Sequence, residues 1–303
     1  MPKVALLFPG QGAQFVGMGQ GLLERSAFAR NLFSHASDIL GYDLAKLCVD
    51  GPESDLHLTK HSQPALFVHS MAALGDFAAQ RPDVLDSTVA VAGLSLGEYS
   101  ALACAGAISF EDGVKLVQQR GAAMQDAATA VKSGMASVIG LSHEQVDAVC
   151  DAARQPGEIL RVANLLCPGN IAISGHVASL DAAEAKAVEA GATKTIRLSV
   201  AGAFHTDIML PAVERLQHAL EATQFRNGIF PLYSNIDAQP HVLAAEFAPL
   251  LTKQVVSPVQ WESTLRNLLA AGVDQFYEIG AGRVLAGTLK RVDRKAACEC
   301  FGD

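Results

Sequence analysis

The sequence predicts an α/β fold, a largely parallel sheet covered by helices on both faces and interrupted by a smaller βαββαβ module. Three observations carry this reading. Short apolar runs alternate with stretches of helical period along most of the chain. A β-branched and small run, Val89-Ala90-Val91-Ala92, passes straight into a serine flanked by glycines. Over about residues 132–199 the pattern changes, and the first pattern then resumes.

In chain order, Val4 to Phe8 reads as a buried strand that ends at Pro9-Gly10 and opens a Gly-rich turn, residues 10–19. Helices follow over about 27–40 and 63–79, on apolar spacings of three and four. Pro64 then falls in a first helical turn, where its missing N–H is tolerated. The run at 89–92 is short enough for a fully buried central strand, and a helix of small residues follows it, about 99–106. Ser109, followed by Glu111 and Asp112, caps a further helix that reaches about residue 126. Strands at 135–141, 159–166, 170–175 and 193–200, with helices at 142–153 and 178–190, give the order βαββαβ. That is the split-βαβ arrangement of ferredoxin-like folds. Residues 132–199 are therefore expected to form an inserted small domain, with 1–131 and 200–303 making the large one. Strands at 230–234 and 275–279 each lead into Asn- or Gly-containing turns.

Half of the residues are hydrophobic and 18% are charged, so the chain can bury a sizeable core. The net charge of −8, without a basic cluster, argues against nucleic acid or an anionic membrane surface as partner. The N-terminal apolar run is too short for a secretory signal, and no run of about 18 apolar residues exists to span a bilayer. Six scattered cysteines form neither a disulfide framework nor a CxxC pair, which fits a reducing, cytoplasmic compartment. His57 and His61 are four apart, but no third ligand or HExxH pattern accompanies them, so no metal is expected.

Gly93-Leu94-Ser95-Leu96-Gly97 fits the G-x-S-x-G elbow, in which a strand turns sharply into a helix and lifts a serine hydroxyl above the sheet. Free N–H groups at the start of that helix face a developing oxyanion. The five-residue pattern alone is weak, and an ordinary strand-to-helix turn is the alternative; its position between a buried strand and a small-residue helix favours the nucleophile. The turn after Phe8 fits no nucleotide motif. Phe15 stands where a dinucleotide fingerprint needs Gly or Ala, and no Gly-Lys-[Ser/Thr] is present. It is either a plain βα turn or one that aims the Gln11 N–H at the same oxyanion.

Six segments together resemble the malonyl-CoA:acyl carrier protein transacylases. They are Phe8-Pro9-Gly10-Gln11-Gly12, the run from Gly93 to Leu102, Gln119-Arg120-Gly121, Gly202-Ala203-Phe204-His205, Ser257-Pro258-Val259-Gln260-Trp261, and Glu278-Ile279-Gly280-Ala281-Gly282. They occur in family order from residue 4 to about 291, which makes the likeness far more specific than any one motif. The resemblance implies an α/β-hydrolase-like large domain with a ferredoxin-like insert. It implies Ser95 as nucleophile and His205 as its general base, with the imidazole oriented by the backbone carbonyl of Gln254. This would be a Ser–His dyad with no third carboxylate. It further implies an oxyanion hole from Gln11 and Leu96, Arg120 as the clamp on the malonyl carboxylate, and Phe204 as the residue that leaves little room for an α-methyl group. Malonyl-CoA is then a substrate, no cofactor is needed, and the partner is a phosphopantetheinylated acyl carrier protein. Leu94 departs from the family, whose members usually carry His before the nucleophile; it bears on rate and donor preference.

The implied activity serves fatty acid synthesis. A trans-acting acyltransferase of a polyketide synthase shares the same chemistry, and a serine (thio)esterase shares the nucleophile. A non-enzymatic carrier-binding scaffold draws support only from Leu94.

Overall fold

In β1 (Val4–Phe8) every residue is buried, and alternate side chains enter different cores. Val4, Leu6 and Phe8 join one apolar cluster, and Ala5 and Leu7 join another. This is the period of two expected of a strand covered on both faces. The computed structural model describes residues 2–302. It pairs β1 in parallel with β2 (Thr88–Gly93) on one side. The other strands in chain order are β3 (Ser133–Ile139), β4 (Leu160–Cys167), β5 (Asn170–His176), β6 (Lys194–Arg197), β7 (Leu232–Tyr233), β8 (Pro240–His241), β9 (Gln275–Ile279) and β10 (Ala297–Phe301). The first sheet runs β10-β9-β1-β2-β7-β8, parallel except for the final β7–β8 pair.

The larger cluster lies between this sheet and the helices Ala27–Leu40, Thr59–Gln80 and Phe110–Ala130. Helices Trp261–Ala270 and Val284–Val292 cover the opposite face through Trp261, Leu265, Leu268, Leu285 and Leu289. The second sheet, β4-β5-β3-β6, is antiparallel throughout. Helices His143–Ala153 and Val177–Glu189 pack on it over a third cluster that includes Val138, Val146, Leu160, Ile173 and Leu180. Ser142 begins the first of these helices with a reciprocal capping box to Gln145.

Several elements differ from the sequence expectation. The helix expected from residue 63 starts at Thr59, whose N–H is taken by the Gln125 side chain at 2.8 Å. That cap comes from a neighbouring helix, so no local signal announces it, and Pro64 lies inside the helix instead of in its first turn. The strand expected at 193–200 stops pairing at Arg197. Beyond it one more hydrogen bond, from Leu198 N–H to the Met135 carbonyl at 3.0 Å, ties the chain to β3, and Leu198 and Val200 line the cleft described below. Beyond 275–279, the last strand expected, residues 297–301 form a further one, the edge strand β10 beside β9.

Candidate active site

The parallel register pairs Phe8 with Gly93, so β1 and β2 release their following turns side by side. Glycine is required where these turns touch. A Cβ on Gly10 would stand 2.2 Å from the Leu94 carbonyl oxygen, and one on Gly97 would stand 2.1 Å from that of Phe8. Between them Ser95 adopts φ 51°, a left-handed conformation that non-glycine residues avoid. Helix Gly97–Cys104 begins directly after it. The N–H groups of Gln11 and Leu96 have no protein acceptor among the described residues, so both are available to a ligand.

Ser95 Oγ lies 2.9 Å from His205 Nε2. The other ring nitrogen, Nδ1, lies 2.9 Å from the carbonyl oxygen of Gln254. A carbonyl can only accept, so Nδ1 carries the proton and Nε2 presents its lone pair to the serine. Gln254 ends helix Ala244–Gln254, where terminal carbonyls lack intrahelical partners, and its carbonyl accepts from Ser257 N–H at 3.3 Å as well as facing the ring. His205 is 3% exposed. Burial, and next the positive charge of Arg120, pull its pKa from 6.5 down to about 4. The imidazole is therefore neutral at pH 7 and able to accept a proton.

Arg120, on helix Phe110–Ala130, is 1% exposed. Its Nη2 donates to Ser95 Oγ at 3.0 Å and to Gln254 Oε1 at 2.8 Å, while Nη1 donates to Gln63 Oε1 at 2.9 Å. The guanidinium also lies 5.3 Å from the Tyr99 ring centroid. Its Nε is buried without a protein partner. A buried cation held by neutral oxygens, with a donor to spare, suits an anionic ligand group beside Ser95.

The structure thus brings Gln11, Leu94, Ser95, Arg120, Phe204 and His205 to one cleft. Met124, Met135, Leu198 and Val200 make the rest of its wall largely apolar. Leu94 also belongs to the apolar cluster that contains Val259 and Trp261, which accounts for an aliphatic side chain at that position.

Sequence reasoning missed four features behind this front. Asn235 brackets the serine turn, accepting from Ser95 N–H at 2.6 Å and donating to Gly93 O at 2.7 Å. The Gln254 side chain links Arg120 to the Ser95 carbonyl, at 3.0 Å, and to the buried carboxyl of Glu98. Burial pushes the Glu98 carboxyl up to about 7, against hydrogen bonds from Gln254, Asn235 and Ser234 that favour its charged form. Gln63 completes the set. The only local hint was the Asn-containing turn after β7. His57 and His61 have separate partners, Glu53 at 3.9 Å and the Asp55 carbonyl at 2.9 Å.

The model of the acyl transferase domain family matches residues 5–299, and the chain belongs to that family. It is an acyltransferase enzyme. Among curated relatives, the malonyl CoA-acyl carrier protein transacylase of Bacillus subtilis is 41% identical over 297 residues, covering 97% of this chain and 92% of the relative. The mitochondrial malonyl-CoA-acyl carrier protein transacylase of Homo sapiens is 40% identical, covering 96% of this chain and 77% of the relative. The solved malonyl CoA-acyl carrier protein transacylase of Coxiella burnetii superimposes with a TM-score of 0.95 at 35% identity, covering 100% of this chain and 95% of that one. A malonyl-transacylase solved in complex with a type II PKS acyl-carrier protein gives 0.94 at 36% identity, covering 99% and 96%.

Proposed function

We propose that this enzyme moves malonyl from coenzyme A to the phosphopantetheine thiol of an acyl carrier protein, through an ester on Ser95. The observation that carries the proposal is the buried Arg120 guanidinium, one hydrogen bond from Ser95 Oγ and with an unused donor. A site for simple esters has no use for that charge; a substrate with a free carboxylate next to its thioester does.

In the first half-reaction His205 Nε2 takes the Ser95 proton as Oγ attacks the thioester carbonyl. The Gln11 and Leu96 N–H groups hold the oxyanion. The tetrahedral adduct collapses, the C–S bond breaks, and His205 returns the proton to the departing coenzyme A sulfur. In the second half the carrier thiol gives its proton to His205 and attacks the malonyl ester, and Ser95 recovers its proton on leaving. The Gln254 carbonyl supports the transient imidazolium. Side chains and backbone groups account for every proton, so the proposal calls on no resident cofactor; the coenzyme A thioester is a substrate.

A malonyl carboxylate on Arg120 offsets the charge that helps depress His205. The acid limb of kcat/KM, which reports the free enzyme, is therefore expected near pH 4. The limb of kcat, which reports the loaded site, is expected at higher pH. Steady-state profiles with malonyl-CoA test this; a limb near 6.5 in kcat/KM contradicts the burial assigned to His205.

Phe204, 5% exposed in the cleft wall, is proposed to exclude an α-methyl group. Phe204→Ala is expected to shift selectivity toward methylmalonyl-CoA by roughly 10- to 200-fold, the range for a methylene-sized change in a pocket. Competition between the two thioesters measures it.

We further propose that residues 132–199 form the ferredoxin-like insert of an α/β-hydrolase-like domain spanning 1–131 and 200–303. Support comes from the βαββαβ order and the antiparallel arrangement β4-β5-β3-β6. The pathway is read as fatty acid synthesis in the cytoplasm. That no helix among the described residues is long and apolar enough to cross a membrane, and that the six cysteines are unpaired, support the compartment. The likeness to the transacylase solved with a type II PKS carrier keeps a polyketide role as the second reading. Loading rates on carrier proteins of the two pathways separate them: a rate many-fold higher on the fatty-acid carrier supports the first reading, and the reverse preference supports the second.

A further inference from the structure

We propose that Arg161, on β4 of the second sheet, is a positioning residue for the His205 imidazole. The inference rests on His205 acting as base for Ser95, and deepens that reading. His205 has φ 60°, a conformation that persists only where the surroundings hold it. Its imidazole depends on two separate segments: the 203–207 turn that carries it and the end of helix Ala244–Gln254, where the Gln254 carbonyl accepts from Nδ1–H. Arg161 bridges the two. Its Nη2 donates to the His205 carbonyl at 3.3 Å and to the Val256 carbonyl, two residues beyond Gln254. Its Nη1 lies 3.5 Å from Asp207. One planar guanidinium reaches acceptors on both segments, which a lysine ammonium on a single stem does less well.

The neighbouring ladder repeats the arrangement. Ser174, the cross-strand partner of Arg161, donates its hydroxyl proton to the Phe204 carbonyl at 2.8 Å. Further along β4, Leu165 N–H donates to Val259 O at 2.9 Å, and Val259 N–H donates to Ala163 O at 2.8 Å. The second sheet thus grips the backbone on both sides of the imidazole. The charged or titratable groups around that ring are Arg120 from its helix, Arg161 from β4, Asp207 from the same turn and Glu98 behind Gln254. Arg161 adds to Arg120 in disfavouring the imidazolium.

The test uses the full chain and a fluorophosphonate probe, which reports Ser95 reactivity without requiring any acyl donor; Ser95→Ala sets the blank. Arg161→Met is expected to be labelled about 10- to 100-fold more slowly, the cost of a small misplacement of a reacting group. Its acid limb should move to higher pH, while KM for malonyl-CoA stays within about twofold, since Arg120 is untouched. Arg161→Lys is expected to restore the limb and part of the rate. Wild-type labelling in Arg161→Met overturns the proposal, as does equal impairment of both variants with an unmoved limb. Should Arg161→Met not fold, Ser174→Ala decides: slower labelling at an unchanged melting temperature supports the clamp, and the wild-type rate overturns it. Wild-type enzyme that is labelled at Ser95 but not loaded by malonyl-CoA overturns the substrate reading alone, and the labelling rates still decide Arg161.

Discussion

Ser95→Ala is expected to abolish loading from malonyl-CoA, leaving no adduct detectable by mass spectrometry. No other hydroxyl stands within hydrogen-bonding reach of His205 Nε2 among the described residues. The loss is chemical and does not reflect unfolding. Gly93, Asn235 and the two β1–β2 turns define the corner without the Oγ atom. A companion variant separates chemistry from strain. At φ 51° an L side chain costs about 1–2 kcal/mol, and glycine does not incur that cost. Ser95→Gly is therefore expected to be equally inactive yet more stable than Ser95→Ala, by ~1 kcal/mol after the greater chain entropy of glycine is subtracted. Denaturant melts of the two proteins measure this. A Ser95→Gly less stable than Ser95→Ala would argue that the left-handed turn carries no strain.

Arg120→Ala is expected to produce the second largest effect, and an uneven one. Removing one partner of a buried, hydrogen-bonded charge pair costs about 2–5 kcal/mol. Malonyl loading should therefore fall roughly 30- to 5,000-fold, at 1.36 kcal/mol per tenfold. Acetyl-CoA has no carboxylate to lose, but its transfer is not spared, because Arg120 Nη2 also donates to Ser95 Oγ. That hydrogen bond is worth about 1.5 kcal/mol, roughly tenfold. Arg120→Lys should recover little of the malonyl rate, since an ammonium cannot keep Gln63, Gln254 and Ser95 on one planar fork while also gripping a carboxylate. Parallel kcat/KM values with the two thioesters test this. Equal losses for acetyl and malonyl would mean that Arg120 serves the nucleophile alone.

What the sequence made legible follows from locality. The elbow at 93–97 is written in five consecutive residues, because the steric demand of a strand turning into a helix falls on neighbours in the chain. The alternation of Val4, Leu6 and Phe8 with Ala5 and Leu7 records two buried faces in one strand. His205, Arg120 and Gln254 carry no local mark that separates them from a surface histidine, a solvated arginine or a helix-ending glutamine. They were reached through family likeness. Asn235 and Glu98 were out of reach because their roles come from contacts across the fold: Asn235 meets Ser95 over 140 residues of chain and Glu98 over 137. The same holds for the cap that Gln125 supplies to Thr59, 66 residues away, which moved a helix start and placed Pro64 in an interior turn. Local sequence gives the corner and the strands; the network that holds the corner appears only when distant segments meet.

The central claim concerns where the acyl group rests between donor and acceptor. Enzyme mixed with malonyl-CoA, freed of excess thioester and followed by intact-mass spectrometry over time measures this directly. The account predicts a single malonyl adduct, on the peptide containing Ser95, that persists in buffer and disappears when phosphopantetheinylated carrier protein is added, with malonyl appearing on the carrier. Prompt release of free malonate in buffer alone, before any acceptor is supplied, would contradict it.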